Sequence, residues 1–173
     1  SLRRQRQMCI RDRYGSYFSG VAGSLAAMNN TMTRVNGVFE IDLAVNLIII
    51  ANTTNVIYTS AATDPYTNMN SWNDQLQATL TSVIGEDNYD IGHLFARSGG
   101  GGNAGCIGCI CQDGSKGSGY TSPSNGVPAG DSFDIDYVAH EMGHQLGGNH
   151  SFSYGYEATS AQTEPGSGSS IMG

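Results

Sequence analysis

At 173 residues with 39% hydrophobic side chains, the chain is the size of one compact domain that buries a core without relying on disulfides or metal for its fold. Lys and Arg number 8 against 15 Asp and Glu, a net charge of −7, and five of the bases (Arg3, Arg4, Arg6, Arg11 and Arg13) fall within the first 13 residues. From residue 14 onward three bases face fourteen acids. That balance repels nucleic acid and anionic membrane surfaces, and no window reaches the roughly 18 apolar residues of a membrane span.

Read alone, the N-terminal arginines suggest a nucleic-acid arm. The run Met8-Cys9-Ile10-Arg11-Asp12-Arg13 instead resembles a frame translation of a sequencing-library adapter. Residues 1–13 are therefore expected to be foreign to the natural protein or a disordered basic tail, with the domain spanning residues 14–173. Cys9 is accordingly given no functional role.

The apolar positions Val21, Leu25, Met28, Met32 and Val35 step by four and three, which predicts an amphipathic helix ending at Asn36-Gly37. Residues 43–51 are nearly all apolar and β-branched, the pattern of a strand covered on both faces. Val56-Ile57-Tyr58 is a short further strand. Trp72, Leu76, Leu80 and Val83 predict a second helix ending near Gly85, and residues 90–96 another strand, followed by the glycine run 99–102. Residues 104–111 are compatible with one more strand, whereas 114–130 and 157–170 read as loops. Helices alternating with apolar strands give an α/β (α+β) domain with a mixed, mostly parallel twisted sheet, two long helices and a third helix carrying the chemistry.

That third helix contains His140-Glu141-Met142-Gly143-His144-Gln145-Leu146-Gly147-Gly148-Asn149-His150, an H-E-x-x-H pattern extended by x-x-G-x-x-H. At about 100° per residue His140 and His144 share one face, while Ile135, Val138, Met142 and Leu146 lie on the opposite one and face the core. Two imidazoles one turn apart share a metal ion, and a catalytic zinc site keeps three protein ligands and an open fourth position. Gly147 is placed to turn the chain with φ > 0, bringing His150 in as third ligand. Glu141, next to the first ligand, is the candidate general base. His93, in the predicted strand, is expected to be structural.

On these residues the chain resembles a metzincin, and more narrowly the reprolysin (adamalysin-like) secreted bacterial metallopeptidases. The resemblance implies a zinc-dependent endopeptidase, secreted or on the cell surface, acting on protein or peptide substrates, with His140, His144 and His150 as Zn(2+) ligands and Glu141 as base. It implies that Met172 is the methionine of the turn beneath the metal. It also implies that Ala104, Gly105, Cys106, Ile107, Gly108, Cys109 and Ile110 form the substrate-pairing edge strand, and that Cys111 bonds a cysteine beyond Gly173. The C-terminal subdomain is expected to be cut short just after the Met172 turn, with further domains flanking the chain. Ser151 departs from the Asp that adamalysins usually carry after the third histidine. Calcium is compatible with the sequence but not shown by it, and an inactive zinc-containing binding or adhesion module of a larger secreted or surface protein is the alternative function.

Overall fold

The structure is a computed structural model that describes residues 2–153 and 162–173. Strand β1 (Leu2–Ile10) lies inside a five-stranded sheet, between β2 (Val45–Ile49) and β3 (Ile91–Phe95). Beyond β3 come β5 (Gly119–Ser122) and, at the edge, β4 (Gly101–Asn103). Three pairings are parallel and β4–β5 is antiparallel, so the expected mixed, mostly parallel sheet is present.

Helix α1 (Asp12–Tyr17) leads into α2 (Val21–Asp42), which crosses one face of the sheet, while α3 (Trp72–Val83) covers the other. A π-helical stretch, Ser132–Ala139, continues directly into α4, His140–Gln145. The period-two alternation of β3 divides the interior. Ile91 and Phe95 join Met28, Met32, Phe39, Val138 and Met142 on the α2–α4 side. Leu94 joins Trp72, Leu76 and Leu80 on the α3 side. Each such fully buried side chain contributes about 1.5–3 kcal/mol relative to exposure.

Residues 2–13 are not an appendage. Leu2, Arg4 and Arg6 are in register with Val45, Leu47 and Ile49, and Met8 and Ile10 pair with His93 and Phe95. Met8 and Ile10 are fully buried in the core. Arg11 holds Asp64 (3.1 Å) and the Tyr66 carbonyl (3.0 Å) and stacks over Trp72. Met8 and Ile10, two residues apart and therefore on one face, belong to an interior strand of the sheet.

Five other expectations need correction. Helix α2 runs through Asn36-Gly37 to Asp42 because Phe39, one turn on, is buried, and an exposed glycine costs a helix only about 1 kcal/mol. Asn36 instead serves β2, accepting from Leu47 N (2.9 Å) and donating to Leu47 O (2.8 Å). That capping matters because β2 is an edge strand with only Leu47 buried and Ile48 exposed, not a strand covered on both faces. The short strand at 56–58 is reduced to a single bridge between Ile57 and Ile10 after the 3-10 turn Ala51–Val56.

The stretch 114–130, expected to be surface loop, contains the fully buried β5. The edge strand is Gly101–Asn103, ahead of the predicted 104–110. Of the loop expected over 157–170, residues 157–161 lie outside the described residues. Among the described residues, no helix is long and apolar enough to cross a membrane.

Candidate metal centre

The histidine-bearing helix reaches the cleft in two registers. In the π-helical stretch each turn takes up an extra residue. Phe133 and Asp134 are therefore buried where a regular helix would bury Ile135. From His140 the helix is α, which puts Val138 and Met142 in the core and His140 and His144 one turn apart on the other side. It ends as the motif predicted. Gly147 has φ 110°, its N–H donates to His144 O (2.9 Å), and Gly148 N donates to Gly143 O (2.9 Å). These are the paired hydrogen bonds of a Schellman cap.

The turn brings His150 back. Its Nε2 is 3.0 Å from His140 Nε2 and 3.1 Å from His144 Nε2, and the latter two are 3.2 Å apart. His140 Nδ1 lies 2.6 Å from the Ile171 carbonyl oxygen and His144 Nδ1 2.7 Å from that of Gly148. A carbonyl only accepts, so both Nδ1 atoms carry the proton, and in the neutral rings the Nε2 lone pairs face the same point. The facing lone pairs of His140 and His144 repel each other unless a cation or an N–H donor lies between them. Tetrahedral zinc bonded at about 2.0–2.1 Å spaces nitrogen ligands roughly 3.3–3.4 Å apart, within a few tenths of an ångström of what is found. The donor set therefore fits zinc, and the carbonyl partners on the far ring nitrogens are the outer-shell bonds that fix ligand orientation.

The histidines and Glu141 line one cleft of about 510 Å³, whose opposite wall is Gly102, Asn103, Ala104, Gly105, Cys106 and Ile107. Glu141 is buried, and this desolvation pushes its carboxyl up to about 7. Met172 packs beside the backbone of Gly143 and Gly148, since a Cβ at either glycine would meet its Sδ at 2.9 Å or its Cε at 3.5 Å.

The expected substrate segment divides in two. Ala104, Gly105, Cys106 and Ile107 face the cleft, but Gly108 N and Ile110 N are committed to the carbonyls of His144 (2.9 Å) and Gln145 (3.3 Å). Cys109 is buried and disulfide-bonded to Cys106. Cys111 stays outside that bond, 3.6 Å from Asp90 Oδ1.

Sequence reasoning missed three supports of the site. Gln145 donates to Gly92 O (2.9 Å), which aims its Oε1 at His93 Nδ1 (2.8 Å). His93 Nε2 then meets the Thr121 hydroxyl at 2.8 Å. This buried chain of bonds pins α4 to β3 and β5, confirming His93 as structural. Its only sequence signal is the position of Gln145 inside the motif. The second support is Gly102, packed on the Glu141 carboxylate, and the third is Glu164, hydrogen-bonded to Ser151. Neither carries a distinguishing pattern.

The family model for metallo-peptidase family M12B, reprolysin-like, matches residues 7–173. No curated protein matches the chain.

Proposed function

Because this chain belongs to the reprolysin-like metallopeptidases of family M12B, whose members are zinc-dependent peptidases, we propose that it is an endopeptidase with His140, His144 and His150 as zinc ligands and Glu141 as general base. The observation that carries this reading is the meeting of three Nε2 atoms within 3.2 Å of one another in a cleft shared with the Glu141 carboxyl.

When bound, zinc supplies Lewis-acid chemistry, polarising a peptide carbonyl and acidifying water. Glu141 takes the proton of the attacking water and delivers it to the leaving nitrogen. Its buried position suits both halves of that task, since a carboxyl raised towards neutrality gives up a proton as readily as it accepts one. The bonds that His140 and His144 Nδ1 donate to Ile171 O and Gly148 O keep the first two imidazoles in one tautomer and orientation. An extended substrate adds along the outer edge of β4, Gly101–Asn103, and passes Ala104, Gly105, Cys106 and Ile107. Met172 supports the helix between its two ligand positions. The family relationship also favours a secreted or cell-surface protein acting on protein substrates.

The test is cleavage of an unfolded substrate such as casein by the whole protein. Turnover that a zinc chelator stops and added zinc restores is expected. Zinc binding without cleavage of any of a broad set of unfolded substrates would instead identify a binding module.

A further inference from the structure

Helix α4 fixes His140 and His144 by its own periodicity, but His150 lies beyond the positive-φ turn at Gly147, on chain with no regular structure. Among the described residues, one carboxylate gathers hydrogen bonds from the chain on either side of the site. The hydroxyl of Ser151, the residue after His150, donates to Glu164 Oε2 at 2.7 Å. The same oxygen accepts from the Ser170 hydroxyl (2.9 Å), Ser169 N (3.2 Å) and Ser170 N (3.3 Å). Backbone bonds run alongside: Glu164 N to Ser151 O at 2.8 Å and Ser151 N to Met172 O at 2.9 Å.

The two segments so joined are both functional. One carries His150. The other carries Ile171, whose carbonyl accepts from His140 Nδ1. These donors hold the Glu164 carboxyl below its ordinary range, the Ser151 hydroxyl first and the Ser170 hydroxyl next, so it remains an acceptor at neutral pH. Hydrogen bonds to an ionised oxygen are roughly twice as strong as those to a neutral amide oxygen, so a carboxylate gathers these donors more firmly than an uncharged side chain of the same shape.

We propose that Glu164 is a positioning residue of the metal centre, its carboxylate clipping the segment after His150 to the turn that bears Ile171 and Met172. The inference rests on the reading of His140, His144 and His150 as zinc ligands. It also accounts for Ser151: the carboxylate is supplied from residue 164, and a small hydroxyl at 151 leaves room for it. The Ser151 and Ser170 hydroxyl oxygens are 3.0 Å apart, so a carboxylate placed at 151 would reach Ser170 directly.

The experiment titrates the whole chain with cobalt(II) alone, following its visible absorption, and separately measures amide hydrogen exchange without metal. Glu164→Gln and Glu164→Ala should each weaken cobalt binding about 10–100-fold. Ser151→Asp added to Glu164→Ala should recover most of that loss. In metal-free protein the amides of Ser151, Ser169 and Ser170 should exchange faster in both single variants, with α4 unchanged. Glu164→Gln keeps the side-chain volume and decides the matter if the alanine variant fails to fold. Wild-type cobalt affinity together with wild-type exchange in Glu164→Gln would overturn the proposal. A wild-type chain that binds no cobalt would instead sink the zinc reading, and the exchange measurement would still decide whether Glu164 holds the two segments together.

Discussion

A methyl group added at Gly102 would sit 2.4 Å from Oε1 of Glu141 and 2.7 Å from its Cδ. The edge strand and the candidate base are thus packed directly against each other. The atoms in the way are the far end of a flexible side chain, so the fold can absorb the collision while the carboxylate cannot keep its place. Gly102→Ala should therefore leave the unfolding midpoint within about 1 kcal/mol of wild type yet lower kcat/KM by about a hundredfold, the order expected from misplacing a catalytic group by 1 Å. Equal kcat/KM in the two proteins would show that the carboxylate position is not critical.

Glu141→Ala removes the proton acceptor and leaves the three imidazoles untouched. Turnover should fall by at least the 10²–10⁴-fold typical of general-base loss, with zinc content by mass spectrometry unchanged. Wild-type cleavage rates in this variant would rule out the proposed mechanism.

Burial pushes His93 down to about 4, partly opposed by its bond to Gln145, whereas the unfolded chain protonates near 6.5. The unfolded state therefore binds more protons across that interval. His93 imposes no penalty above about pH 6.5 and costs the fold progressively more as pH falls towards about 4. Denaturant unfolding at pH 7.5 and pH 5 should show wild type losing about 2 kcal/mol more than His93→Gln. Identical losses would mean that this ring is not buried in its neutral form.

Ile10, in the segment expected to be foreign or a disordered tail, is fully buried and in register with Phe95. Ile10→Ala should cost about 2–5 kcal/mol, read as a lowered urea midpoint. A change under about 0.5 kcal/mol would return residues 1–13 to the status of a tail.

What the sequence made legible was whatever its own periodicity encoded. Trp72, Leu76 and Leu80 share a helix face because they recur at helical spacing, and α3 has the expected bounds. The histidine motif is likewise local: one α-turn and one glycine cap bring all three rings together. Elements specified by their neighbours were illegible. Strand β5 opens with Gly119, whose missing side chain is required because a Cβ would strike Gln145 Oε1 at 2.4 Å and His93 Nδ1 at 2.7 Å. In one dimension that glycine reads as loop. The π-helical register that buries Phe133 in place of Ile135 is set by packing, and no spacing rule announces it. The Glu164 clip joins two residues 13 apart in the chain, Ser151 and Glu164, and no motif marks the pair.

The central claim is that three imidazoles hold one zinc ion, with His150 as an equal partner. Equilibrium dialysis of the whole chain against zinc, with bound metal counted by elemental analysis, tests it directly. The account predicts one zinc per chain in wild type and at least a hundredfold weaker binding in His150→Ala, with Glu141→Ala retaining its metal. Zinc bound equally well after His150 is replaced, or no zinc bound by wild type, would contradict it.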